Sequence, residues 1–257
     1  MNGLYIGSMG MMNYMQHINM HANNIANAQT TGFKVDQMTS KVFDTHKTYR
    51  QVNGRETAIG TVDYAVVPAA THVNLTQGTM QITNSGTDFY LEDGNTGAAS
   101  FFVVSRNNQT YMTKDGHFTL NADRYLQTTA GAYVLDSNNE RIRIPEGAKL
   151  SVKADGTIYN EATKQNIARL QTKSVDANMK AHLVKHEDKT FTVDGANIAN
   201  LPNGTAAVHN YMLENSNVDL TKEMTDLMTN QKMVQASQRV MTTFDKVYDK
   251  ESNELLR

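Results

Sequence analysis

The chain has 257 residues and contains neither cysteine nor tryptophan. Without thiols there are no disulfides, no thiolate metal sites and no cysteine nucleophile. Proline is confined to Pro68, Pro145 and Pro202. A formal net charge of −2 leaves no basic footprint, so no nucleic-acid partner is expected. Charge is also missing from the start, where the first Lys, Arg, Asp or Glu is Lys34. That stretch is not read as a membrane span, because Asn2, Asn13, Gln16, His17, Asn19, His21, Asn23, Asn24 and Asn27 interrupt its apolar run. A span needs about 20 mainly apolar residues, and no membrane insertion is expected. The basic start and compact apolar core of a secretory signal are absent too. Any export is expected to proceed without a cleaved signal peptide.

Chemistry-bearing motifs are equally scarce. There is no phosphate loop, nucleophile elbow or dinucleotide fingerprint. His17 and His21 stand four apart, as do His182 and His186, but no His-Glu-x-x-His pattern or third ligand accompanies them. No metal and no cofactor is expected. Asp88, Glu92, Asp93 and Asp115 are better explained by the turns they flank than as an acid–base pair for glycosidic chemistry. No catalytic residue is nominated, and the chain is read as not an enzyme.

What is present is a code shared by the two ends. Leu4, Met11, Ile18 and Ile25 are apolar at a seven-residue interval, and so are Leu220, Leu227, Val234, Met241, Tyr248 and Leu255. This spacing predicts helices over 3–27 and over 219–256. Gly3, Gly7 and Gly10 each cost about 1 kcal/mol relative to Ala, so the first helix is expected to need a packing partner. Gly32 is the expected left-handed residue closing it. Ser216-Asn217-Val218-Asp219 opens the second helix with side chains that accept from free amides. Gln231, Gln238, Asp245 and Ser252 occupy the second row of a simple two-stranded coil, where apolar residues belong. Met233, Val240 and Val247 make another stripe, which fits a helix with several neighbours.

Between the helices the grammar changes. Lys34–Thr45 is compatible with a short helix, and His46–Thr61 with an extended or mobile loop. From about residue 71 to 195 turn pairs recur: Asp93-Gly94, Asn107-Asn108, Asp115-Gly116, Ala130-Gly131, Asn138-Asn139, Asp155-Gly156 and Asp194-Gly195. Strand-like runs lie between them at 100–105, 116–120, 132–135, 141–144 and 149–152. Such short strands indicate an antiparallel sandwich or open barrel. A last extended segment is expected at 208–214.

Ala22–Lys34 reads Ala-Asn-Asn-Ile-Ala-Asn-Ala-Gln-Thr-Thr-Gly-Phe-Lys. It resembles the N-terminal signature of the bacterial flagellar axial proteins, the rod, hook and hook-associated subunits. Leu75-Thr76-Gln77-Gly78 resembles that family's Phe-Thr-Gln-Gly strand, and Tyr111–Phe118 its Tyr-Thr-Arg-Asp-Gly-x-Phe hairpin. Ser216–Asp219 opens the last helix as in the family. Two patterns depart: Ala122-Asp123-Arg124 stands where the family usually has Ala-Asp-Gly, and Thr87-Asp88-Phe89 stands after Gly86 where it usually has Pro-Leu-Asp. A single β domain between terminal helices is most like the distal rod subunits or their close rod paralogue.

The resemblance implies an α+β fold in which the N- and C-terminal helices pair as an antiparallel coiled-coil-like bundle around a central antiparallel β-rich domain. Five segments are expected: the signature helix 1–33, a linker or extended loop 34–70, the β-rich domain 71–200, a return segment 201–218 and the C-terminal helix 219–257. The implied function is a structural rod subunit in the cell envelope, polymerising into a helical tube that transmits torque and walls an export channel. Implied partners are copies of itself, other flagellar rod and hook subunits, and the flagellar type III export apparatus. A secreted β-domain adhesive module, or a hook-type axial protein, is the alternative. The implied subunit-interface residues are Leu4, Met11, Ile18, Asn23, Asn24, Ile25, Asn27, Gly32, Phe33, Asn217, Asp219, Leu220, Leu227, Val234, Met241, Tyr248 and Leu255.

Overall fold

Helix α1 (Asn2–Ala26) and helix α2 (Leu220–Leu255) occupy the two ends of the described chain. The computed structural model describes residues 2–52, 55–94, 97–176, 178–186 and 188–255. The fold is α+β, with an N-terminal helix, a C-terminal helix and an antiparallel β-rich region between them. It forms two compact units. One holds residues 1–26, 36–71 and 219–257, and the other holds 27–35 and 72–218.

In the helical unit, α2 has 36 residues, on the order of 54 Å at about 1.5 Å per residue. Asp219 caps it, its Oδ1 accepting from the amides of Thr221 at 3.0 Å and Lys222 at 3.1 Å. The two helices run in opposite directions. Gly7 lies against Met241, Gly10 against Ser237, and His21 against Glu223. The side of α2 toward α1 is Glu223, Leu227, Asn230, Val234, Ser237 and Met241, at alternating steps of four and three. On α1 the matching side is Leu4, Gly7, Met11, Tyr14, Ile18, His21 and Ile25. The second row of α2 is therefore Glu223, Asn230 and Ser237, three residues after each seam position rather than four. Gly7 has a positive use here. A Cβ at that position would sit 3.0 Å from Met241 Cγ, so its absence admits the partner helix.

The same unit contains β1 (Asp36–Val52) and β2 (Arg55–Val73), paired as a two-stranded ribbon. The short helix expected within 34–45 does not form, and strand runs through most of the stretch expected as a loop. Thr39, Val42, Phe43, Thr48, Tyr49, Thr57, Ile59, Thr61, Val66 and Val67 supply the β-branched and aromatic side chains that favour a pleated strand. Met38, Val42 and Phe43 are too few to set a helical seam. Residues 53–54 lie outside the described residues.

In the β unit the largest sheet runs β14 (Leu183–Lys185), β15 (Thr190–Val193), β6 (Gln109–Thr113), β5 (Ala99–Arg106), β9 (Tyr133–Val134), β8 (Leu126–Thr128) and β7 (Phe118–Leu120), with β13 (Thr172–Val175) also on β5. Beside it are the sheet of β10 (Leu150–Val152), β11 (Thr157–Asn160) and β12 (Asn166–Arg169), and the pairs β16 (Ala207–Asn210) with β4 (Phe89–Glu92) and β17 (Met212–Glu214) with β3 (Met80–Ile82). These pairs are antiparallel. Strand β5 is central. Alternation sends Phe102 and Val104 into one apolar cluster and Phe101 and Val103 into another, so both of its faces are buried.

The turn pairs act as read, with one exception. Gly94, Asn107, Asn108, Gly131, Asn139, Gly156 and Gly195 all have positive φ. Gly116 does not. A Cβ there would collide with the Phe89 carbonyl, so close approach is what requires glycine. The run 141–144 forms only isolated bridges through Arg141 and Arg143. The expected last strand is split at Tyr211, whose φ is 61°. Arg124 holds φ 66° without glycine's freedom. Its guanidinium donates to the carbonyls of Ile144 and Pro145, at 2.9 Å each, which supports the strained backbone.

Candidate assembly surface and its supporting clasp

The signature Ala22–Lys34 is divided between the units, since α1 ends at Ala26 and 27–35 belong to the β unit. Gly32 therefore does not close the helix. It lies six residues further on, at φ 67°, with its amide donating to the Glu214 carbonyl at 2.8 Å.

Lys34, which is fully buried, anchors a charged clasp in the β unit. Its Nζ donates to Glu214 Oε1 at 2.6 Å and to the Thr76 carbonyl at 2.7 Å. Glu214 Oε1 also accepts from the Gly78 amide at 2.7 Å. The other oxygen, Oε2, has no hydrogen-bond partner and lies 3.9 Å from Lys114 Nζ. Lys114, also buried, pairs with Asp93 at 2.5 Å, and Asp93 Oδ1 accepts from the Ser100 amide. Burial lowers the pKa of Lys34 below the lysine range, opposed by Glu214 and reinforced by Lys114. Close by, Asp115 accepts from Thr31 Oγ1 at 2.9 Å and Lys189 Nζ at 2.5 Å. Asn217 Oδ1 accepts from the Val35 amide at 2.8 Å, and its Nδ2 donates to the carbonyls of Asn74 and Thr76. Phe33 is buried beneath Lys185, whose Nζ is 3.6 Å from the ring centroid. The four motifs singled out in the sequence thus meet in one polar knot. Asp93 and Glu214 are members that sequence reasoning missed, because nothing local marks a carboxylate as the partner of a distant lysine.

A second knot sets the register within the helical unit. Asn24 is fully buried. Its Nδ2 donates to the Asp36 carbonyl at 2.9 Å and to Glu223 Oε2 at 3.1 Å, and its Oδ1 accepts from the Asp36 amide at 3.0 Å. His21 Nδ1 lies 2.6 Å from Glu223 Oε2. Next to it, Ser40 bridges Asn13 and His17 at 3.0 Å each. Burial and then the neighbouring His21 lower the pKa of His17. Asn24 and Glu223 together tie the end of α1, the start of β1 and the first turn of α2. Among the described residues, no group of three His, Asp or Glu side chains converges as metal ligands.

The apolar positions of the helices divide into covered and bare. Leu4, Met11, Ile18, Ile25, Leu227, Val234 and Met241 are half-buried along the paired sides, and Asn27 and Asn217 are half-buried in the β unit. Asn23 and Asp219 are exposed, as are Leu220 at 44% and Tyr248 at 38%. Leu255 ends α2, and its side chain lies outside the described ones. Tyr5, Ile6, Met12 and Met15 on α1, and Met224, Met228, Met233, Val240, Phe244 and Val247 on α2, are bare, with Met228 at 60% and Met12 at 57%. An apolar groove of about 520 Å³ opens among Leu4, Tyr5, Ser8 and Tyr248. Contiguous apolar surface on a folded chain marks a contact site. Among the described residues no helix is long and apolar enough to cross a membrane, so a bilayer span does not account for these faces.

Comparison with known proteins follows the same segments. Residues 4–34 match the family model "Flagella basal body rod protein", 96–160 match "Flagellar hook protein FlgE/F/G D1 domain", and 209–255 match "Flagellar basal body rod FlgEFG protein C-terminal". The flagellar basal-body rod protein FlgF of Caulobacter vibrioides is 32% identical over 249 residues, covering 93% of this chain and 92% of its own. The chain belongs to the flagellar basal-body rod protein family. Other relatives of this rod chain are the FlgG rod protein of Bacillus subtilis, 27% identical with 96% of each chain covered, and the hook-basal body complex protein FlhO of the same organism, 26% identical with 99% of this chain and 98% of its own covered. The family is one of structural flagellar components, and that role suits a rod chain whose notable features are two buried knots and bare helical faces.

Proposed function

We propose that this chain is a subunit of the flagellar rod that polymerises into a helical tube through its terminal helices. The observation that carries the proposal is the bare apolar surface of α1 and α2. Covering the exposed half of one such side chain is worth about 1 kcal/mol. Repeated over the side chains of each copy, this drives association without covalent links. A head-to-tail contact whose rotation does not close gives a helix of copies. The pair α1–α2 becomes coiled-coil-like within the wall, with the seam residues Leu4 to Ile25 and Leu220 to Leu255 shared among neighbours. Stiffness from many packed contacts is what transmits torque, and no chemistry is required of any residue.

The same reading covers export and timing. The chain leaves through the flagellar type III apparatus without a cleaved signal, joins other rod and hook subunits and lines the export channel. Gly3, Gly7 and Gly10 keep α1 marginal until neighbours cover it, so ordering of the ends is coupled to assembly. Deleting the gene and imaging basal bodies tests the role. Loss of hook and filament, with the earlier basal body retained, is expected. An intact rod with normal swimming would contradict it.

A further inference from the structure

Helix α1 has no charged residue, so α2 carries all the charge of the helix pair. The way that charge is distributed is unusual. On the side of α2 turned away from α1 lie Lys232, Arg239, Lys246 and Lys250, all exposed. Asp245 and Asp249, also exposed, stand together on a different side. None of these six is in an ion pair among the described residues. A helix meant only for solvent is favoured by opposite signs three or four residues apart. Here like charges take that spacing: Lys246 with Lys250, and Asp245 with Asp249. Lys232 and Arg239 have no acid three or four residues away in either direction. Lys222 to Asp226, Lys246 to Asp249 and Lys250 to Glu254 do join opposite signs at such spacings. The first two make no ion pair among the described residues, and the Glu254 side chain lies outside the described ones. Sorted rather than interleaved charge is what a partner helix reads.

The geometry points to a second copy of this chain as that partner. The two ladders start one residue apart, so they sit at nearly the same height, about 1.5 Å offset. Their rungs have the same separation, about 6 Å for four residues. We propose that Lys246 and Lys250 of one copy pair with Asp245 and Asp249 of a laterally adjacent copy whose α2 runs parallel. Because the ladders occupy different sides of the helix, the contact is heterologous. Each copy offers cations to one neighbour and carboxylates to the other, and the contact propagates. This rests on the reading above that copies associate through these helices, and it specifies their lateral register.

The test uses the full chain expressed in place of the wild type. Variant one carries Lys246→Glu and Lys250→Glu, variant two carries Asp245→Lys and Asp249→Lys, and variant three carries all four changes. Rod incorporation is scored on isolated basal bodies, and helicity of each monomer by circular dichroism. Variants one and two are expected to fall about tenfold in incorporation with unchanged monomer helicity, and variant three to return within about twofold of wild type. Co-expression of variants one and two is also expected to restore assembly, since each supplies the ladder the other lacks. Wild-type incorporation of variants one and two would overturn the proposal. So would failure of both the four-fold exchange and the co-expression to restore it, which would assign the ladders to a different subunit. Should a charge reversal disturb the monomer, Lys246→Gln with Lys250→Gln is the substitute, and incorporation indifferent to it would overturn the pairing. If the polymerisation reading itself fails, gene deletion leaves an intact rod, an outcome separate from all of these.

Discussion

Replacing Lys34 with methionine is expected to destabilise the β unit by about 3–5 kcal/mol, because it strands the buried Glu214 carboxylate without its cation. Glu214 already has one oxygen without a hydrogen-bond partner, and the next cation, Lys114, is 3.9 Å away and engaged by Asp93. There is thus little local reserve to absorb the change. Amide exchange along β5 measures the loss directly, since that strand is buried on both faces and opens only with its unit. A cost below about 1 kcal/mol would show that the ion pair is not what holds the motifs together. The double change Lys34→Met with Glu214→Leu separates charge from packing. With no charge left to strand, it is expected to recover much of the loss, short of the bonds to Thr76 and Gly78.

The second large effect is expected at Gly32. Substitution by valine forces a β-branched residue to φ 67° and places its Cβ 2.5 Å from the Asp115 amide nitrogen. The backbone penalty alone is about 1–3 kcal/mol, and the collision adds a comparable amount, about 1–3 kcal/mol. Asp115 has little room to step aside, because its carboxylate is held by Thr31 and Lys189. The variant is expected to be lost to misfolding and cells carrying it to be non-swimming. Wild-type swimming with Gly32→Val would show that the 27–35 segment can repack, which contradicts the clasp as described.

These two positions also show what could be read in advance. Gly32, Lys34 and Asn217 stood out within recognisable motifs, but that they belong to one knot did not. Its members Lys34, Thr76, Asp93, Lys114 and Glu214 are scattered through the chain, and no local periodicity links them. The helices were legible because a seven-residue spacing is a local signal, and their spans agree with the expected 3–27 and 219–256 to within one residue, although Gly32, expected to close the first, lies six residues beyond it. The second row of α2 was not. It is polar and small at Glu223, Asn230 and Ser237, because the facing row of Gly7, Tyr14 and His21 satisfies it by close approach and by the His21–Glu223 contact. An apolar template looks for leucines and finds Gln231 and Gln238 instead. The ribbon β1–β2 was missed for another reason. Much of it is exposed, so selection for a core face never imposed clean alternation on it. The β unit was read best, since its turns need residues that tolerate positive φ and those residues announce themselves.

In the proposed rod the bare faces of α1 and α2 are covered by neighbouring copies. Methionine oxidation reports it most directly, because the chain carries its own probes. Met12, Met15, Met224, Met228 and Met233 are exposed, whereas Met112 is fully buried. Mild peroxide treatment of free subunit and of isolated basal bodies, followed by mass spectrometry, compares them residue by residue. Rapid oxidation of the five is expected in the free subunit and strong protection in the rod, with Met112 slow in both. Equal oxidation of all five in the two states would contradict it.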